Sequence, residues 1–358
     1  MKKIDRYIIK KFLGTFFFTL MLILVIVVIF DISEKIDEFL ENKVPVKEIL
    51  FGYYINFIPY FGNLFSPLFI FISVIFLTSR MAGNTEIIAI FNSGMSFNRL
   101  LRPFIKTAFI LSVFSFILAN FIIPISNEKR IKFETNYLDK EQYISKQNIH
   151  VQIKKNQYVH VEHFNNVKNI GYKFTLENFQ NGKLISKIRA NNIKYDTTRS
   201  TWQILNYETR IFNENGEYIK SGNKIDTVLN LKPSDFTGKK QLAETMNIFE
   251  LNKYIQEEEI KGSENIIFYK IVQQKRIAFP LSAIILTVIA VAISSKRVRG
   301  GIGTHLAIGL AISFSYILFM QISTTFAINS DLAPTLAVWI PNIIYSIVAI
   351  ILVQIRGV

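Results

Sequence analysis

Long apolar runs alternate with polar, strand-like sequence along these 358 residues. Six stretches hold no Asp, Glu, Lys or Arg: 12–30, 49–79, 107–127, 277–295, 300–330 and 332–355. Each reaches the roughly 18 to 20 residues that a helix needs to cross about 30 Å of hydrocarbon. Six transmembrane helices are therefore predicted, the last two parted only by Asp331 in the turn-like Asn329-Ser330-Asp331-Leu332-Ala333-Pro334. The first run is too long for a signal-peptide core and no small-x-small cleavage pattern follows it, so it reads as a retained helix. The plan is three helices in 1–127, a polar insert over 128–270, and three helices in 271–358.

Inside the insert the period shifts to two. Val151-Gln152-Ile153, Tyr158-Val159-His160-Val161 and the run Gly171 to Phe179 read as strands, the last meeting Asn181-Gly182. Trp202 to Phe212 meets Asn215-Gly216 in the same way, and Asn-Gly pairs favour tight hairpins. The insert is expected to be all-β, antiparallel and jelly-roll-like, followed by a short helix over 248–260 that Asn247 caps and Gly262 ends.

Charge is segregated in the same pattern. Residues 128–270 hold 23 of the 41 basic and 18 of the 27 acidic residues, a net of +5 out of +14. Much of the remainder flanks the spans: Lys2, Lys3, Arg6, Lys10 and Lys11 at the start, Arg80, Arg99 and Arg102 after the second, Lys296, Arg297 and Arg299 after the fourth, and Arg356. By the positive-inside rule both termini are expected in the cytoplasm and the 128–270 domain outside it. This topological use of the charge removes a nucleic-acid partner from consideration. Without Cys there is no disulfide, thiolate metal site or cysteine nucleophile.

Chemistry-bearing motifs are sparse. Gly300-Gly301-Ile302-Gly303-Thr304 lacks the P-loop lysine, and no acid lies inside the six runs to couple a proton or sodium ion. His150, His160 and His163 come with no metal-ligand spacing and read as strand-surface residues. No catalytic and no metal-ligating residues are identified, and the chain is not expected to be an enzyme. The second span carries Gly52, Pro59, Gly62, Asn63, Ser66 and Pro67, so a broken or bent helix is expected. Phe57, Phe61, Phe65 and Phe69 recur along one drifting face, suited either to helix packing or to an apolar cavity. Lys35, Lys43 and Lys47 sit just outside the first two spans, among Glu34, Asp37, Glu38, Glu41 and Glu48. Between spans two and three, a short amphipathic helix over about 84–94 is expected. Asn84 would cap it, Glu86 favour its dipole, Ile87 to Phe91 form its apolar side, and Gly94 end it. Such a helix either lies on the membrane or fits a partner's groove.

Several of these pieces together resemble the lipopolysaccharide-export permeases of the LptF/LptG family. They are Ile4-Asp5-Arg6-Tyr7-Ile8, the proline-bearing second span, Arg80 with Glu86-Ile87-Ile88-Ala89 and Ser93-Gly94-Met95-Ser96, and Arg276-Ile277-Ala278-Phe279-Pro280-Leu281. The start and the 331–341 segment look more like the G-type member. The resemblance implies a non-catalytic half-transporter in the bacterial inner membrane, paired with an F-type relative and two cytoplasmic ATPase subunits. ATP and Mg would bind those partners, with no cofactor in this chain. A periplasmic jelly-roll bridge protein and a single-span membrane partner would complete the set, and lipopolysaccharide would be extracted and passed on through the β domain. It further implies that Glu86, with Asn84, Ile87, Ile90, Phe91 and Gly94, docks in the ATPase groove. Lys35, Lys43 and Lys47 would meet lipid phosphates, while Phe57, Phe61, Phe65, Phe69, Tyr316, Phe319 and Met320 would line an acyl-chain cavity. The alternatives are a force-transmitting subunit of another ATP-driven system and a membrane-anchored ligand receptor.

Overall fold

A computed structural model of the chain describes residues 3–138, 147–165, 168–197, 199–213, 216–233, 236, 242–263, 265–296, 301–330 and 332–357. Lys2, Asn215, Arg297, Arg299, Gly300 and Asp331, used in the reading above, lie outside the described residues. Two compact units emerge, one of Met1–Leu138, Glu244–Ile248 and Lys270–Val358, the other of Asp139–Ala243 and Phe249–Tyr269.

The first unit contains, among the described residues, six helices long and apolar enough to cross a membrane. Helix α1 runs Lys3–Glu41, and its 39 residues extend about 58 Å, well beyond the hydrocarbon thickness at both ends. A π-helical stretch, Glu48–Tyr54, leads into α2, Ile55–Gly83. Then come the short α3, Glu86–Asn92, and α4, Phe97–Ile117. A second π-helical stretch, Leu118–Ile122, joins α4 to α5, Ile123–Tyr137. The turn α6, Leu242–Thr245, and the helices α8, Ile266–Ser294, α9, Gly301–Asn329, and α10, Pro334–Gly357, follow later in the chain.

The expected break in the second span is placed differently. The irregular geometry precedes the prolines, at Glu48–Tyr54, and α2 continues through both Pro59 and Pro67. Pro67 cannot donate to the Asn63 carbonyl one turn back, and the Ser66 hydroxyl donates to it instead at 2.9 Å. In α10, Pro341 likewise frees the Ala337 carbonyl, which accepts from Ser323 Oγ of α9 at 2.6 Å. Polar side chains link the other helices: Ser115 Oγ donates to Asn63 Oδ1 at 2.6 Å, and Asn342 Nδ2 donates to the Ala278 carbonyl at 2.8 Å. At Gly309 of α9 a Cβ would run into the Ile75 side chain and crowd the Phe71 ring, so a small residue there favours the close approach to α2.

The second unit is a six-stranded antiparallel sheet in sequential order. Its strands are β1 Gln147–Lys154, β2 Gln157–Asn165, β3 Ile170–Gln180, β4 Lys183–Asp196, β5 Thr201–Asn213 and β6 Gly216–Thr227. Asn181 and Gly182 carry φ of +51° and +77°, the twist that a two-residue hairpin needs. One face buries Val159, Val161, Phe164, Phe174, Ile193 and Trp202, whose indole donates to the Leu231 carbonyl at 2.9 Å. Helix α7, Ile248–Ile260, has the bounds the sequence predicts, and Gly262 after it adopts φ +62°. The fold class is thus a polytopic helical protein with an inserted β domain. The strand order, however, is a plain meander among the described residues, whereas a jelly roll interleaves its strands through Greek-key crossovers. Links of two to four residues between successive strands leave no length for a crossover.

Candidate functional site

The loop between α2 and α4 is built around one seven-residue helix. Asn84 closes α2, its N–H donating to Arg80 O at 2.9 Å, so it does not occupy the cap position of α3. That position belongs to Thr85, in left-handed backbone at φ +61°, and no side chain caps the helix. The sharp reversal at Thr85 turns Asn84 sideways, where its amide donates to Glu86 Oε1 at 3.4 Å. Gly94, at φ +81°, ends the segment with its N–H on the Phe91 carbonyl at 2.9 Å. Ile87 is buried at 2% exposure and anchors α3, while Ile90 is half-buried. Ile88 and Phe91, one turn apart, are exposed at 48% and 37%.

Two contacts from the start of α1 brace this loop. Tyr7 Oη donates to Glu86 Oε2 at 3.3 Å, and Arg99, in the first turn of α4, pairs with Asp5 at 2.8 Å. Neither contact has a local sequence signal, because the partners lie 79 and 94 positions apart. Asp5 and Tyr7 belong to a segment the resemblance rests on, yet sequence reasoning gave them no role. Ile88 is a further residue outside the expected coupling set.

Around the first two spans, Asp31 gathers three donors. Lys35 Nζ pairs with it at 2.8 Å, Tyr53 Oη donates at 3.2 Å and Tyr54 Oη at 3.1 Å. Lys35 also contacts the Tyr53 hydroxyl and lies 4.5 Å from that ring's centroid. Lys43, in the left-handed turn after α1 at φ +50°, and Lys47 are exposed. The three lysines therefore differ, one held by a carboxylate and two open to solvent.

The phenylalanines of α2 begin in an aromatic cluster. Phe57 is buried with Phe39, Tyr53, Tyr54 and Phe133, and stacks on Phe61 at 4.0 Å. Phe65 follows at 6.3 Å from Phe61, and both are half-buried, as is Phe69. On α9, Tyr316 is 1% exposed and its hydroxyl donates to Asn342 Oδ1 at 2.8 Å, which ties it to α10. Met320 is buried and Phe319 half-buried. Near these spans, Arg130 of α5 lies over the Tyr60 ring at 5.0 Å and 3.8 Å from Glu134. Glu244 faces Arg130 and Arg276; burial pushes its carboxyl up and the two guanidiniums oppose that rise.

The family model for the lipopolysaccharide export system permease LptF/LptG matches residues 6–354 of the chain. The chain belongs to the LptF/LptG family. It is accordingly a multi-pass inner-membrane protein and a permease subunit of a lipopolysaccharide export system, with the β domain between its two sets of LptF/LptG-type helices. A search of curated proteins returned no match.

Proposed function

We propose that this permease is the G-type half of an ATP-driven exporter, pairing with an F-type relative and two cytoplasmic ATPase subunits that bind ATP and Mg. Both termini face the cytoplasm and the β domain faces the periplasm, where it passes lipopolysaccharide to a jelly-roll bridge protein assisted by a single-span partner. The observation that carries this reading is α3. It turns Ile87 inward, leaves Ile88 and Phe91 exposed one turn apart, and holds Glu86 beside them through Tyr7 and Asn84. A two-residue apolar edge with a carboxylate suits the helix-in-groove mode of docking. Ile87 and Gly94 set the position and end of the helix, while Ile90 flanks the edge.

On the lipid side, the half-buried Phe61, Phe65 and Phe69 face the acyl chains, with Phe319 contributing and the buried Phe57, Tyr316 and Met320 supporting from beneath. Lys43 and Lys47 meet phosphate directly, and Lys35 exchanges its Asp31 partner for it. ATPase closure reaches the lipid cavity through α3 and the braced start of α1. The test is co-purification in mild detergent from cells that express all the subunits. Ile88→Asp is expected to lose the ATPase and keep the second permease. An ATPase that stays bound to Ile88→Asp at wild-type stoichiometry refutes the docking edge.

A further inference from the structure

Near its start, helix α1 presents a recess of about 570 Å³ beside α2, within the range of small-molecule sites. Tyr7, Lys10, Lys11, Gly14, Thr15 and Phe18 line it from α1, and Phe76 of α2 closes one side. Tyr7, Lys11, Gly14 and Phe18 follow one another at spacings of four, three and four positions, which stacks them along one stripe of the helix. From Lys11 to Phe18 that stripe runs about 10 Å along the axis. Its polar end, Lys10 and Lys11, is exposed and lies just before the first charge-free run. Its apolar end continues through Met21 and Val25, 63% and 56% exposed. Midway, a Cβ at Gly14 would meet nothing within 4 Å, so the glycine leaves an open notch in the stripe.

The charge at this recess is uncompensated. From Arg6 to Phe30 the helix carries three cations and no acid. Asp5, the acid before them, is buried and committed to Arg99, and Glu86 is held by Tyr7 and Asn84. The Lys10 side chain makes no ion pair or hydrogen bond among the described residues, and the Lys11 ammonium has only the Tyr7 ring, 5.9 Å from its centroid. Thr15 donates to the Lys11 carbonyl at 2.9 Å, so the two ammonium groups are the free donors of the recess. Orientation in the membrane accounts for basic residues at this depth, but not for an open notch beneath them. Two cations at one end and an apolar trough at the other match a phosphate joined to hydrocarbon. Another transmembrane helix answers this chemistry poorly, because it would bury both ammonium groups against apolar side chains unless it brought an acid of its own. A soluble phosphate would leave Phe18 and Phe76 uncovered.

We propose that this recess binds an anionic glycerophospholipid, its phosphate held by Lys10 and Lys11 and one acyl chain laid past Gly14 against Phe18 and Phe76. Under the proposed topology the lipid comes from the cytoplasmic leaflet, although binding itself does not depend on that orientation. Full-length permease in a non-ionic detergent is titrated with phosphatidylglycerol, or with phosphatidylethanolamine of the same chains, and bound lipid is counted by native mass spectrometry. Phosphatidylglycerol is expected to bind saturably and more tightly than phosphatidylethanolamine. Changing Lys10→Gln and Lys11→Gln together should weaken it about tenfold or more, since each lysine beside an anionic lipid is worth about fivefold. Gly14→Leu keeps both charges but fills the notch, and should weaken binding several-fold. Arg102→Gln with Lys106→Gln removes two charges from the first half of α4 and should leave the affinity unaltered, with unchanged far-ultraviolet circular dichroism in every variant. Glycerol 3-phosphate, the same phosphate without chains, should neither bind nor displace the lipid. Phosphatidylethanolamine bound as tightly, displacement by glycerol 3-phosphate, or full affinity in Gly14→Leu overturns the proposal. Equal affinity in the α1 and α4 double variants also overturns it, and leaves this face to a partner helix. The permease is titrated by itself, so a failure of ATPase docking leaves the result intact.

Discussion

Asp5 and Arg99 form a pair that is only partly shielded, with 12% and 23% of their side chains exposed. Water and salt weaken such a pair, but it spans two helices, so its loss frees both of them. Asp5→Asn should raise hydrogen exchange in α3 and the first turn of α4 by a few-fold, about fivefold at most. Unchanged exchange there would show that the brace holds nothing. A second residue-scale effect lies in the β unit. Burial, then the neighbouring His150, lowers the pKa of His160. The unfolded chain therefore binds a proton at higher pH than the folded one, and stability is complete above the ordinary histidine value of about 6.5. It is lost as pH falls from there through the folded pKa. Trp202, 1% exposed in the β core, reports this unfolding once Trp339 is replaced by Phe. His160→Gln should reduce the fall in its thermal midpoint between pH 7.5 and 5.5, and a fall as large as in the parent protein would count against the assignment.

Elements were legible from the sequence wherever one local signal decided them. The charge-free runs marked the spans, Asn181-Gly182 marked a hairpin, and the bounds of α7 followed from its cap and its glycine. What stayed hidden depends on partners far along the chain. Asn84 and Thr85 compete for one cap position, and the loss went to Asn84 because α2 already claims its N–H. The meander was equally hidden, since strand patterning specifies faces and turns but not which strands become neighbours. Tyr316, expected to line an acyl-chain cavity, has its hydroxyl satisfied by Asn342 across a helix interface, a pairing 26 positions apart that no local pattern marks. Helix crossings belong in the same class, and Gly309 shows why. Its missing side chain is what lets Phe71 and Ile75 of α2 come against α9. Gly309→Leu should separate the two helices and destabilise the membrane unit by about 1–3 kcal/mol. The check is the thermal midpoint in detergent, where a value equal to that of the parent would mean the crossing is not tightly packed.

At the scale of the whole molecule, two functions must be carried by separate surfaces. Ile88 and Phe91 form an exposed edge on α3, whereas Phe61 lies along α2 among stacked aromatic rings. The charge-free runs contain no acid to draw energy from an ion gradient, so work on a lipid has to enter from outside the spans. An exporter then needs both surfaces, while a subunit that only transmits force needs the α3 edge alone. Phe61→Arg separates these cases, because a guanidinium against acyl chains is costly yet leaves α3 untouched. In proteoliposomes containing the complete complex, Phe61→Arg should keep the bound ATPase and its basal hydrolysis. It should also lose both the co-purified lipopolysaccharide and the stimulation of hydrolysis by lipopolysaccharide. Ile88→Asp should lose the ATPase first and make the lipid readout irrelevant. If Phe61→Arg instead exports lipopolysaccharide at the parent rate, the aromatic row is helix packing only, and the lipid travels by another face of the permease.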